Sequence, residues 1–327
     1  MLFILLITFS LYVAAEMNFD NWMQMHNKQY TQPEYHYRQH IWESNIVKIN
    51  NHNKKNSTYK LGLNKYADMT YSEFKDKVLM RPMKTNTARH TSYTLPTQNV
   101  NWRTKGVVQE VNDQGMCGSC WAFSAAETLS AAFGMLHNKK SLVFSPQELV
   151  DCVPDSYDCF GCLGGWPNRA MEFALNKLRG GLLQWRDYPY IGNDQECNRT
   201  NINRTVVVGA TTVVNVTKGN QTELLSALNK YGPLSVCIYV DDDFMLYQSG
   251  VYSSTSCPTE EVNHAVLLYG VYYDTFYNKW VYMVRNSWGA DTQDNHTGFG
   301  VDGDVFMDAE VTDGNICALA SYASFVK

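Results

Sequence analysis

The stretch Gln114-Gly-Met-Cys-Gly-Ser-Cys-Trp-Ala-Phe-Ser124 constrains this chain more than any other. A glycine-bounded loop carries two cysteines and runs into residues 121–133, an Ala-rich segment with no helix breaker before Gly134. Cys120 is therefore expected at or next to the first turn of a helix. Unpaired N–H groups and the positive end of the helix dipole favour an anion there. A thiol so placed ionises more readily, and the thiolate is the nucleophile. Gln114, six residues upstream, offers a side-chain N–H that could meet a developing oxyanion together with the Cys120 backbone N–H. Two other readings share these residues. Cys120 could be half of a structural disulfide. Alternatively, Cys117-x-x-Cys120 could be a redox pair, or half of a zinc site with Cys159-x-x-Cys162.

The chain has 327 residues, enough for two lobes with separate cores. Its net charge of −5 excludes a generally basic nucleic-acid binder. The charge is unevenly spread. Residues 16–94 hold 12 Lys+Arg against 7 Asp+Glu, or +5, and residues 95–327 hold 15 against 25, or −10. The two parts should attract each other. Residues 1–15 form an apolar run with small residues at Val13 and Ala15, which reads as a signal peptide cleaved after Ala15. No other uncharged run of 18 residues exists, so no membrane span is expected. Entry into the secretory pathway fits six Asn-x-Ser/Thr sequons, at Asn56, Asn198, Asn203, Asn215, Asn220 and Asn295. It also fits nine cysteines, none before residue 117. An odd count leaves one thiol over, which we assign to Cys120.

Residues 16–80 read as a small helical unit. Glu34, Arg38, Trp42, Asn45, Ile49 and Asn53 fall on one helical stripe. Residues 81–97 show no apolar period and read as an exposed linker open to cleavage. Residues 120–180 read as mostly helical, with Ser145-Pro-Gln-Glu148 as a capping box. From about residue 205, β-rich runs dominate: 205–209, 234–240, 264–269 and 279–285, with a short helix at 223–231. Helices followed by strands make an α+β chain.

Taken together, these segments resemble the papain-like cysteine peptidases. Residues 114–124 resemble the family's active-site signature. The stripe resembles the E-R-F-N-I-N pattern of its propeptides, with Trp42 for Phe, and Gly62-Leu-Asn-Lys-Tyr-Ala-Asp68 resembles G-x-N-x-F-x-D, with Tyr66 for Phe. Residues 100–106 resemble the start of a mature enzyme. The resemblance implies a two-lobe papain-like fold, helical on the left and barrel-like on the right, preceded by a small helical propeptide. It divides the chain into a signal peptide (1–15), an inhibitory propeptide with linker (16–94) and a mature peptidase (95–327), with the activating cut between about residues 88 and 97.

A cysteine nucleophile needs a base, and the base an orienting partner. After residue 97 the histidines are His137, His264 and His296. His137 and His296 lie in polar turns and read as solvated. His264 opens an apolar strand, which alone suits a buried core histidine, yet its context resembles the family's catalytic-His segment. Asn286-Ser-Trp-Gly289 resembles the segment carrying the orienting Asn, with Trp288 shielding the His264–Asn286 bond. The implied chemistry is peptide hydrolysis through a thioester on Cys120. His264 is imidazolium in the resting pair, and Gln114 and the Cys120 N–H hold the oxyanion.

Spacing alone cannot pair the cysteines. The resemblance implies Cys117–Cys162, Cys152–Cys197 and Cys257–Cys317, leaving Cys120, Cys159 and Cys237. Cys159 could compete with Cys162 for Cys117. By resemblance, Gly118 and Gly165 line the cleft. Trp166, Pro167, Cys237 and Val262 wall the main specificity pocket, and Tyr322 forms its floor. A bulky floor predicts Val, Pro or Leu at the second position before the scissile bond, with Arg disfavoured. Towards its C-terminal end the chain departs further from the family. Residues 290–298 interrupt the usual continuation, Phe299 stands for a second Trp, Asp304 for an aromatic, and Ala318 for the Gly after Cys317.

The function expected is a cysteine endopeptidase made as a zymogen in the secretory pathway, kept in a lysosome-like vesicle or secreted. Expected partners are protein and peptide substrates, its own propeptide and cystatin-like inhibitors, with no cofactor and a monomeric state. The competing classes are a catalytically inactive peptide-binding relative and a zinc or redox C-x-x-C protein. The intact Cys120, His264, Asn286 and Gln114 favour the enzyme.

Overall fold

The computed structural model describes residues 17–84, 92–200, 202–290 and 299–327. The expected signal peptide, linker residues 85–91 and the 291–298 insertion with Asn295 and His296 lie outside the described residues.

The N-terminal unit comprises α1 (Phe19–Met25), α2 (Gln32–Asn53), β1 (Tyr59–Leu61) and α3 (Tyr71–Lys77). The stripe on α2 is largely a ladder of polar bonds onto residues 61–73. Arg38 pairs with Glu34 and Glu73 and donates to the Asp68 carbonyl. Asn45 donates to the carbonyls of Ala67 and Met69, while Asn53 exchanges two bonds with the Leu61 backbone. Trp42 and Ile49, on the same stripe, are buried. Asp68 accepts from Lys28 and Tyr30. Thr70 and Glu73 form a reciprocal capping box that starts α3.

The chain then extends through β2 (Met83–Lys84) to β3 (Val100–Asn101). A helical lobe follows: α4 (Cys120–Leu136), α5 (Pro146–Cys152) and α6 (Pro167–Lys177), with the small sheet of β4 (Gly181–Leu182) and β5 (Val206–Val207). Small side chains let α4 run buried from Cys120 to Gly134. The Ser145 side chain caps α5, but Glu148 does not complete the capping box. It accepts instead from Leu183 N and Arg199.

The second lobe contains β6 (Val213–Asn215), α7 (Gln221–Tyr231), β7 (Leu234–Ile238), β8 (Tyr247–Tyr252), β9 (Glu261–Val262), β10 (His264–Asp274), β11 (Lys279–Arg285), β12 (Asp304–Asp308) and β13 (Ala323–Val326). Among the described residues its sheet has nine strands in the order β1-β8-β12-β11-β10-β7-β13-β6, with β3 added to β10. Strand β1 of the N-terminal unit thus forms one end of the second lobe's sheet, antiparallel to β8. The same unit shares an apolar cluster with this lobe, from Trp22 and Trp42 through Tyr66 and Phe74 to Phe244 and Trp288.

The described linker residues are largely exposed, as expected, but the segment is docked at points the sequence did not show. Met83 and Lys84 pair antiparallel with Val262 and Glu261. Ser92 bridges Asn220, and the Thr94 N–H donates to Gln221 at the start of α7. Backbone pairing leaves no periodicity in the side chains, which is why this docking has no sequence signal. Among the described residues no helix is long and apolar enough to cross a membrane.

Candidate active site

Cys120 is the first residue of α4 and is buried. His264 opens β10, and Asn286 follows the last residue of β11, which lies beside β10 in the sheet. Neighbouring strands therefore bring the two side chains together, and His264 Nε2 lies 2.7 Å from Asn286 Oδ1. The Ser287 N–H also donates to Asn286 Oδ1, at 2.8 Å, which fixes that atom as the oxygen. His264 Nδ1 is buried with no hydrogen-bond partner among the described residues. Trp288 lies over the imidazole with ring centroids 4.6 Å apart. Exposed His137 stands away at the end of α4 and bonds to the Val208 carbonyl.

Gln114 is fully buried. Its Nε2 donates to the carbonyls of Val78 and Cys117, each at 2.8 Å. Its Oε1 accepts from Ser287 Oγ at 2.7 Å, so Ser287 sets which end of the amide faces the thiol loop. Tyr190 braces the same loop through the Gln114 carbonyl and Ser119. Sequence reading missed Ser287 and Tyr190. Adjacency to Asn286 was the only available hint for Ser287, and Tyr190 offered none.

The N-terminal unit crosses this site. The Met80 N–H donates to the Asn263 carbonyl and the Arg81 N–H to that of Leu163, each at 3.1 Å. Met80 is fully buried in one apolar cluster with Cys120, Cys237 and Val262. Two glycines permit the approach. A Cβ on Gly118 would stand 2.9 Å from the Leu79 carbonyl, and one on Gly164 would stand 2.7 Å from the Met80 Cβ. Gly165 itself bridges Cys159. Burial pushes the Cys120 thiol up to about 12, although backbone N–H groups, including those of Trp121 and Cys120, act in the opposite direction. Burial likewise pulls His264 down to about 4, against the bond to Asn286. Both shifts act against charge on either group while the segment is seated.

A recess is lined by Trp166, Pro167, Asn168, Asn215, Cys237 and Tyr322, among others. Trp166 and Tyr322 stack at 4.4 Å. Val262 is buried under Met83 of β2. Disulfides join Cys117–Cys162, Cys152–Cys197 and Cys257–Cys317, and Cys120, Cys159 and Cys237 are free and buried. With Cys117 and Cys162 bonded to each other, the two C-x-x-C pairs do not form a four-thiolate site. Asn56, Asn198, Asn203 and Asn215 are exposed, whereas Asn220 is half-buried and caps α7.

Two departures from the family pattern acquire partners here. Phe299 packs edge-on against Trp288 at 4.6 Å. Asp304 is buried and accepts from Arg285 Nε at 2.6 Å, from Tyr269 at 2.7 Å and from Arg103. A third departure, Ala318, adopts φ +68°, a region glycine takes more readily.

Comparison with known proteins agrees with this arrangement. Residues 96–325 match the papain family cysteine protease model, and residues 19–74 match the cathepsin propeptide inhibitor domain. The chain is 36% identical over 318 residues to pro-cathepsin H of Mus musculus, covering 95% of this chain and 90% of that protein. It is also 36% identical over 314 residues to a cathepsin L-like proteinase of Fasciola hepatica, covering 93% and 90%. Among solved structures, digestive procathepsin L 3 of Tenebrio molitor larval midgut aligns with a TM-score of 0.79 at 27% identity, covering 94% of this chain and 97% of that one. Recombinant stem bromelain precursor aligns at 0.81 and 28%, with the same coverage. With residues 78–81 seated over its thiol and an inhibitor-domain match just before them, the chain belongs to the papain family of cysteine proteases, as a zymogen of the cathepsin H and L kind.

Proposed function

We propose that residues 95–327, once freed of residues 16–94, act as an endopeptidase that cleaves protein substrates through a thioester on Cys120. One observation carries this reading: Gln114 Nε2 donates to the Val78 carbonyl, a peptide carbonyl of the segment lying across the thiol. A substrate carbonyl in the same position would meet the same donor. In the uncovered site, the Cys120 thiolate attacks the carbonyl carbon while His264 holds the proton. The oxyanion takes hydrogen bonds from Gln114 and the Cys120 N–H. His264 then protonates the leaving amine as the C–N bond breaks. It next takes a proton from water as the water attacks the thioester, and Cys120 leaves. Asn286 holds the ring, and Trp288 excludes water from their bond.

No insertion after Gly165 resembles the loop that would block an exopeptidase's cleft, which supports internal cleavage. Trp166, Pro167, Cys237 and Val262 as walls and Tyr322 as floor make a short pocket for Val, Pro or Leu and a poor one for Arg. Gly118 and Gly165 leave room for the substrate backbone. The disulfides and the cathepsin relatives support the secretory pathway, in a vesicle or outside the cell. A monomer inhibited by cystatin-like proteins, with glycans on exposed sequons, completes the reading. Acid-activated protein should cleave a Leu-containing peptide substrate, and Cys120→Ala and His264→Ala should each lose about 10³-fold or more in kcat. Retained hydrolysis by Cys120→Ala would overturn the assignment.

A further inference from the structure

The floor residue Tyr322 is not an isolated aromatic. Lys218, half-buried between β6 and α7, donates from Nζ to Tyr322 Oη at 2.8 Å. The same ammonium lies 4.3 Å from the centroid of the Tyr322 ring, whose stacking partner is Trp166. Lys218 forms no ion pair among the described residues. Glu223, an acid nearby in sequence, is engaged by the Thr217 N–H and by Asn220. The recess lined by Trp166, Tyr322, Asn168 and Asn215 has no carboxylate in its lining.

We propose that Lys218 is a specificity-determining residue that lets this pocket take a side chain ending in a carboxylate at the second position before the scissile bond. The proposal rests on the peptidase reading and on Tyr322 as pocket floor. Because the Lys218 ammonium is itself a donor, Tyr322 Oη accepts from it, and the phenol keeps its own O–H to donate elsewhere. A neighbouring cation polarises that O–H and makes it a stronger donor. A substrate carboxylate accepting from Tyr322 would lie no more than about 5.5 Å from the ammonium, the sum of two hydrogen-bond lengths. An aliphatic side chain gains nothing from this pair, and an Arg side chain meets a like charge. Among polar side chains of similar size, the anion is thus favoured over the neutral amide, and the cation is disfavoured.

The test uses acid-activated full-length protein and four peptide substrates differing only in Leu, Gln, Glu or Arg at that position. The Glu peptide should exceed the Gln peptide in kcat/KM by about threefold or more, the size expected of a partly screened charge pair. The Arg peptide should fall below both. Lys218→Met should bring the Glu-to-Gln ratio to about one, while Lys218→Arg retains it. Added salt should shrink the wild-type ratio. A wild-type ratio of one, or a ratio unchanged in Lys218→Met, would overturn the proposal while cleavage of the Leu peptide leaves the peptidase reading standing. No cleavage of any peptide, with no labelling of Cys120 by a thiol-directed epoxide, would be the failure of the peptidase reading instead.

Discussion

Asn286 Oδ1 accepts from both His264 Nε2 and the Ser287 N–H, so the neutral imidazole carries its proton on Nε2 and keeps a lone pair on Nδ1. On the proposed mechanism, Nδ1 is the atom that exchanges a proton with Cys120. Asn286→Ala should free the ring to turn and lower kcat by about 10²-fold, and a pH–rate profile should show the His264 limb displaced. Gln114 is oriented from behind by Ser287 Oγ and presents Nε2 to a carbonyl. Gln114→Ala should cost about 10²-fold in kcat with little change in KM, because an oxyanion donor acts mainly in the transition state. Stopped assays under saturating substrate check both. An equal rise in KM with kcat unchanged would show that Gln114 only binds the ground state.

At the scale of elements, the inhibitor domain docks on Trp288, the residue that lies over the His264 imidazole. Tyr66 and Phe74 meet Trp288 edge-on, at 5.7 and 5.2 Å. Asn64 donates to the Met245 carbonyl, and β1 adds backbone bonds along β8. Phe74→Ala should weaken this docking by about 3 kcal/mol, the usual cost of emptying a buried phenyl site. The expected readout is faster self-activation at neutral pH, and an unchanged rate would contradict the docking role. Much of this was legible in the sequence. The Cys120 loop and helix and the α2 stripe follow from local spacing, and the Gly62–Asp68 motif from its resemblance to the family's propeptides. The partners of Asp304 were not legible, since Arg103, Tyr269 and Arg285 come from three separate segments. Glu148 misled for the same reason, its side chain going to Leu183 N and Arg199 across the lobe. The linker's pairing with β9 uses backbone atoms, which every sequence supplies.

Across the whole molecule, the opposite charges of the two parts meet in identifiable pairs. Lys48 lies 2.6 Å from Asp242 and 3.0 Å from Asp243, and Lys65 lies 2.5 Å from Asp113. Burial raises the Asp243 carboxyl, but Lys48, Tyr59 and His52 together hold it below its ordinary value. Its contribution to docking is therefore present above the ordinary Asp range and is lost as pH falls through the lowered value. His264 adds an effect of the same direction at higher pH. Burial in the covered state lowers His264, so covering the site opposes its protonation and acid favours the uncovered form. Self-activation should be faster at pH 4.5 than at pH 7 at matched salt, and Lys48→Ala should speed it at both, since Asp243 stays ionised across that range. Equal rates at the two pH values would contradict this electrostatic account.

The most direct test of the central claim is to label acid-activated protein with an epoxide thiol inhibitor and map the modified peptide. We predict a single label on Cys120, with loss of peptide hydrolysis in proportion to labelling, while Cys159 and Cys237 stay unmodified in their buried sites. Folded, propeptide-free protein that carries no label at Cys120, or that hydrolyses peptide after full labelling, would contradict the assignment of Cys120 as the nucleophile.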